Sequence, residues 1–157
     1  ERLVAKGRTR LSLVLPGEQF TFTQHLRYGF VSAARAAGIE HEIVAGVTLD
    51  SPTREIAEAL MQGRRGPNPP DGYVCVGEVT AMVALAALAD TGAVHGVDAD
   101  IVAKRASPIF DNIRPRIDTV FEDLRATGRA MAEMLLRRMA GEPPENLHRL
   151  FHPDPPR

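Results

Sequence analysis

Gly72-Tyr73-Val74-Cys75-Val76-Gly77 is the stretch that decides the fold. It is short and continuously apolar, where a strand with one wet face would alternate. An alanine-rich stretch at 79–89 follows with helical character, and Ile101-Val102-Ala103 is a second continuous apolar run. Strands of this kind are buried on both faces, and with helices between them they belong to a parallel sheet.

The same alternation extends outward in both directions. Leu11-Ser12-Leu13-Val14-Leu15 reads as a strand closed by Pro16-Gly17. A helix is expected over 23–37, with Leu26, Phe30, Ala33, Ala34 and Ala37 on one face and Gly38 as its stop. A second strand runs from His41 to Ala45. Asp50-Ser51-Pro52 then opens a helix through Ile56, Ala59, Leu60 and Met61, a capping side chain preceding a proline in the first turn. Three prolines and two glycines make 63–71 a loop.

Beyond Ala103, a fifth strand is expected at 117–121 and the longest helix at 123–140. That helix carries a stripe of Leu124, Met131, Leu135 and Met139, and Gly141 with Pro143-Pro144 ends it. The tail, 142–157, holds five prolines and reads as extended, with one edge strand near 147–151. The fold class is α/β, a doubly wound parallel sheet of flavodoxin-like type.

Composition narrows the function. Nineteen Lys and Arg against 20 Asp and Glu give a formal charge of -1, without the basic excess of a surface that neutralises many phosphates. No apolar stretch is long enough to span a membrane. The lone cysteine, Cys75, sits in an apolar run and reads as a small buried hydrophobe in a reducing, cytoplasmic setting. The start shows no signal-peptide core, and with no initiator Met the chain is expected to be a piece of something longer.

Several chemistries find no motif. Neither a Gly-x-Gly-x-x-Gly nor a Gly-x-x-x-x-Gly-Lys loop follows any strand, and no Gly-x-Ser-x-Gly elbow is present. His148 and His152 are four apart but lie among prolines without clustered Cys or carboxylates, so no metal or other cofactor is expected. His41 and His95 read as surface residues, and Met131, Met134 and Met139 as packing. Glu122-Asp123 fit a helix start, where negative charge is favoured. In such sheets ligands lie beyond the carboxyl ends of the strands, which points to 16–25, 45–50, Gly77-Glu78 and Lys104-Arg105.

At this point the residues resemble a known family. Leu3-Val4-Ala5-Lys6-Gly7-Arg8-Thr9-Arg10-Leu11-Ser12-Leu13-Val14 looks like the segment opening the C-terminal lobe of LacI/GalR-type bacterial regulators. Gly29-Phe30 before Ala33-Ala34-Arg35-Ala36-Ala37-Gly38 matches their Gly-Phe helix. Asp71-Gly72-Tyr73-Val74-Cys75-Val76-Gly77-Glu78, then Met82, Ala84, Leu85, Ala87 and Leu88, resembles their strand, Asn-Asp pair and alanine-rich helix. Ile101-Val102-Ala103-Lys104-Arg105 lies at their Val-Val-Gly-Phe-Asp, and Pro115-Arg116-Ile117-Asp118-Thr119-Val120 at their Pro-Pro-Leu-Thr-Thr-Val. The most recognisable stretch is Gly128-Arg129-Ala130-Met131-Ala132-Glu133-Met134-Leu135-Leu136-Arg137-Arg138-Met139-Ala140-Gly141.

The resemblance implies a periplasmic-binding-protein-like type I fold, with 1–121 as the C-terminal lobe of an effector-binding domain. It implies that 122–157 is a crossover helix and tail packing on the N-terminal lobe. The implied function is a cytoplasmic, homodimeric sensor of a small molecule, not an enzyme, which meets DNA through a headpiece absent from this chain and has no membrane partner. Dimer contacts would come from 51–61, 80–89 and 106–113, with Ala81, Ala84 and Ala87 allowing close helix approach or packing in the lobe's own core. A solute-binding protein feeding a transporter is the alternative.

Carried over by position, the implied effector contacts are Leu26, Gly77, Arg105, Glu122 and Thr48, flanked by His25, Arg27, Glu78 and Lys104. Each departs from the family pattern. The helix arginine is Leu26, the strand-end asparagine is Gly77, and the usual aspartate is Arg105 after Lys104. An aspartate accepts hydrogen bonds, whereas lysine and arginine only donate them. With His25 and Arg27 expected near a helix start, this predicts an anionic effector, such as a sugar acid or other small carboxylate. The plainer reading of Lys104-Arg105 is a solvated turn or an ion pair with Asp98, Asp100 or Asp111.

Overall fold

A computed structural model describes residues 1–14, 20–47 and 51–152. In chain order the elements are α1 (Arg2–Ala5), β1 (Arg10–Val14), α2 (Thr21–Ala36), β2 (Glu40–Ile43), α3 (Thr53–Arg64), β3 (Gly72–Cys75), α4 (Glu78–Asp90), β4 (Asp100–Arg105), β5 (Asp118–Phe121) and α5 (Leu124–Met139). The five strands form one parallel sheet in the order β2-β1-β3-β4-β5.

Helices cover both faces. Val14, Tyr73, Cys75, Ile101 and Ala103 turn toward α3 and α4, where they join Ile56, Leu60, Ala81, Ala84, Ala87 and Leu88 in the main core. Leu11 and Leu13 turn the other way, toward α1 and α2. Gly72 is the closest packing point on that face: a Cβ there would lie 2.5 Å from Leu11 Cδ2 and 3.2 Å from Leu3 Cδ1. The chain leaves β1 toward β2 on one side and returns to β3 on the other, so the winding reverses between β1 and β3.

The amino-terminal edge of β4 and β5 is closed by charge. Asp100 is buried and accepts from Arg8 at 2.7 Å and Lys6 at 3.1 Å, while Lys6 also reaches Asp118 at 2.8 Å. Burial works against the Asp100 charge, yet the hydrogen bonds and charges of Arg8 and Lys6 hold its carboxyl below the ordinary value.

Some expectations are corrected. Gly63 and Arg64 belong to α3 rather than to the following loop. Pro52 itself caps α3, with no side-chain cap bond, because the helix begins one residue later than a first-turn proline requires. Asp50 and Thr48 lie outside the described residues. The buried side of α2 is Thr23 and Ala34, leaving Leu26, Ala33 and Ala37 exposed. Gly38 does end it, at φ +64°.

His95 is buried, not on the surface, with Nε2 3.3 Å from the Arg116 carbonyl, and His41 is half-buried edge-on to Phe30. Residues 147–151 form no strand: a 3-10 turn, Pro144–Asn146, is followed by irregular chain. Cys75 is buried as expected, and burial pushes its thiol up to about 12 against the weaker pull of Thr80, which leaves it an inert core residue.

Candidate functional site

All five strands are parallel, so their carboxyl ends lie on one edge, and the winding reverses between β1 and β3, where sheets of this kind hold ligands. Gly77 stands there as the residue before α4, with space beside it: an added Cβ would meet nothing within 4 Å. Thr80 anchors this turn, donating to the Gly77 carbonyl at 2.9 Å.

Glu78 is committed to structure. Its Oε1 accepts the backbone N–H groups of Ala106 at 2.9 Å and Ser107 at 2.7 Å, tying the start of α4 to the turn after β4. Burial raises its pKa, but these bonds and the nearby Arg105 charge outweigh that and hold the carboxyl below its ordinary value.

Lys104 and Arg105 do not act as a pair. Both are within β4, so their side chains leave opposite faces of the sheet. Arg105 faces the α4 side. Its Nε donates to Thr119 Oγ1 at 3.0 Å, its Nη1 to the Ser107 carbonyl at 3.0 Å, and its guanidinium sits 5.0 Å from the centre of the Phe121 ring. The register explains this, since Arg105 is directly opposite Phe121. Lys104 faces the other way and pairs with Glu122 at 2.9 Å. The aspartates expected as partners are engaged elsewhere: Asp100 with Lys6 and Arg8, and Asp98 with the Val94 N–H.

The predicted residues among those described therefore fall into four groups. Glu78 and Arg105 meet through the 106–107 turn, Lys104 and Glu122 meet on the opposite face, and Gly77 stands alone just after β3. His25, Leu26 and Arg27 share exposed positions on α2, on the Lys104 side. Because α2 begins at Thr21, His25 and Arg27 are its fifth and seventh residues. They lie past the four free N–H groups, so the helix terminus adds no anion attraction at these two positions.

Sequence reasoning missed Thr119, Phe121 and the 106–107 amides as the partners of Arg105 and Glu78. Their signal was present in the pairing of β4 with β5, which needs the register and not just the strands. Among the described residues no group of three or more His, Cys, Asp or Glu is placed to hold a metal ion. No described helix is long and apolar enough to cross a membrane.

The geometry has relatives. The sequence profile of the family described as periplasmic binding protein-like domain matches residues 1–155. The chain is 26% identical over 159 residues to the HTH-type transcriptional regulator reg1 of Streptomyces lividans, covering 97% of this chain and 45% of that protein. A regulatory protein of LacI family from Chloroflexus aggregans superimposes with a TM-score of 0.84 at 20% identity, over 97% of this chain and 55% of that one. A LacI family transcriptional regulator from Arthrobacter sp. FB24, solved in complex with lactose, superimposes with a TM-score of 0.73 at 19% identity, over 88% of this chain and 50% of that one. The chain thus spans about half the length of the relatives it matches.

Proposed function

Because the chain belongs to the family of periplasmic binding protein-like domains, we propose that it is the second lobe and dimerisation surface of a LacI-type transcription regulator. In this reading it is a cytoplasmic small-molecule sensor and not an enzyme, and it reaches DNA through a headpiece outside this chain. The observation that carries it is the reversal of winding between β1 and β3, with open space beside Gly77 just after β3, on a sheet whose relatives are regulators.

Residues 1–121 form the lobe, and 122–157 form an arm that docks on the other lobe. Support for this division is the apolar stripe of α5, which covers nothing here: Met131 is 61% exposed and Leu135 60%. For the dimer, Val79 and Met82 are exposed three apart on α4, and Ile109 is exposed in the segment that Glu78 ties to the start of α4. Ala81, Ala84 and Ala87 take no part, since they are buried in the lobe's own core. A Met82→Glu variant is expected to shift a dimer toward monomer in sedimentation.

The effector is a small anion that takes Lys104 from Glu122. Both members of that pair are partly exposed, at 42% and 43%, so solvent screens the pair and the exchange costs little, whereas Arg105 stays bound to its own sheet. A second reading, a neutral sugar, has its own support: Lys104, Arg105, Glu78 and Glu122 cancel in charge, and the Arthrobacter relative holds lactose. Titrating the chain with D-gluconate and D-glucose while following backbone amides separates them. Gluconate shifts at Gly77 and Lys104 that weaken at least tenfold in Lys104→Met support the anion. Glucose shifts there that are indifferent to Lys104→Met support the sugar. Silence from both at these amides would overturn a sensor role for this edge.

A further inference from the structure

A concavity of about 300 Å³ lies between the β2-β1-β3 side of the sheet and α3, and reaches the end of β2 at Val44 and Ala45. Ser12, Glu42, Tyr73, Leu60, Gly63 and Pro70 are among its walls. The register places Ser12 opposite both Glu42 and Tyr73, so these three side chains stand in one row on the face beneath α3.

Two of the three are fully enclosed. Ser12 is 0% and Tyr73 2% exposed; the Ser12 hydroxyl has no hydrogen-bond partner among the described residues, and the Tyr73 hydroxyl has only the Arg64 guanidinium beside it. The Nε atoms of Arg10 and Arg64 are also buried without a partner, but neither residue is a wall of the cavity. Arg10 precedes Ser12 on the same face of β1. Arg64 follows Gly63 and donates through its Nη1 to the Pro70 carbonyl at 2.8 Å. Two of the five buried unpartnered side-chain atoms found among the described residues therefore belong to walls of this one cavity. Folded proteins nearly always satisfy such atoms, and alanine and phenylalanine would fill the Ser12 and Tyr73 positions without them.

Size and charge define what meets them. The space is roughly tenfold the volume of one water and at the lower end of small-molecule sites. Glu42 stands at the rim, its Oε1 3.8 Å from where a Cβ on Gly63 would be, and this carboxylate repels an anion. Its other oxygen is already 4.0 Å from Arg10, so a full cation is not required. Hydroxyl donors beside a carboxylate acceptor call for groups that both donate and accept, which hydroxyls do. Leu60 and Pro70 supply apolar walls for the carbon skeleton.

We infer that this cavity is a second ligand site, for a small neutral polyol, built by Ser12, Tyr73 and Glu42 and separate from Gly77 and Lys104. It does not depend on the reading of those two residues. The test is an amide titration of the 157-residue chain with myo-inositol and with D-ribose. Saturable shifts are expected at Ser12, Leu60 and Gly63, with Gly77 and Lys104 unmoved. Tyr73→Phe, which removes only the hydroxyl, is expected to weaken them at least tenfold. Gly63→Leu, which keeps a helical backbone and places a side chain in the mouth, is expected to abolish them; it decides the matter should Tyr73→Phe fail to fold. No saturable shift with either polyol, shifts that survive Gly63→Leu, or shifts confined to Gly77 and Lys104 would each overturn the site and leave a cavity that holds water alone.

Discussion

Helices α4 and α5 differ in pattern and in outcome: α4 is apolar nearly all round, while α5 carries an apolar stripe beside four arginines. Each is rich in apolar residues, α4 over 13 residues and α5 over 16. In α4, Ala81, Ala84, Ala87 and Leu88 are buried against the sheet and α3. In α5 only Ala130 is buried among the described residues, and Leu124, Met131, Leu135 and Met139 face outward. Periodicity makes a helix and gives it a face. What that face meets depends on the topology, which ends the sheet at β5 before α5 begins. The largest expected effect follows from this contrast. Leu88→Ala should lower stability by about 2–5 kcal/mol, the usual range for opening a cavity in a packed core. Leu135→Ala should change it by less than about 0.5 kcal/mol. Denaturant unfolding of both variants checks this, and comparable losses would mean that α5 packs on its own sheet.

The ion cluster at the amino-terminal edge sharpens the same contrast, because it belongs to the body that contains α4. Asp100→Asn should cost about 1.5–3 kcal/mol, the range for hydrogen bonds to a charged group, since the side chain is 6% exposed and accepts from two cations. The folded-state pKa of Asp100 is held below the ordinary value of 3.8. Its contribution is therefore complete above that value and is lost as pH falls through the folded-state value. Lys6 shows the converse: burial lowers its pKa, but Asp118 and Asp100 raise it further, to a net value above 10.5. That contribution is complete below pH 10.5 and fades as pH rises through the folded-state value. Unfolding measured against pH should show the acid limb flattened in Asp100→Asn, and an unchanged limb would remove Asp100 from the cause.

The body of the fold was legible and its edges were not. The inner strands were visible because continuous apolar runs such as Gly72 to Gly77 leave few other readings, while the edge strands β2 and β5 mix polar and apolar residues and carry a weaker signal; the parallel order followed from alternation with helices. The side-chain pairing at the strand tips was hidden. That Arg105 turns to Phe121 and Lys104 to Glu122 depends on β4 continuing through Arg105 and on its register with β5, neither of which an apolar pattern records. His95 was misread because its burial comes from the loops around β4 rather than from its own segment. The Ser12 cavity left only a faint trace, one hydroxyl inside an apolar run, and its meaning appears once Tyr73 and Glu42 are seen beside it.

The smallest expected effect lies at the root of the α5 arm. Lys104 and Glu122 join the sheet to the segment that leads into α5, yet their side chains are 42% and 43% exposed, and water and salt screen such a pair. The arm is also held by the Glu122 N–H donating to the Arg105 carbonyl at 2.9 Å, and α5 is capped independently by Asp123 accepting from the Ala126 N–H at 2.8 Å. Lys104→Gln should therefore lower global stability by at most about 0.5 kcal/mol, and added salt should shrink even that difference. Unfolding of wild type and variant at low and high salt measures it. A loss above about 1 kcal/mol that persists in salt would exceed the usual worth of an exposed pair. It would mean that the arm unfolds together with the sheet, and the difference between α4 and α5 would then be one of exposure alone.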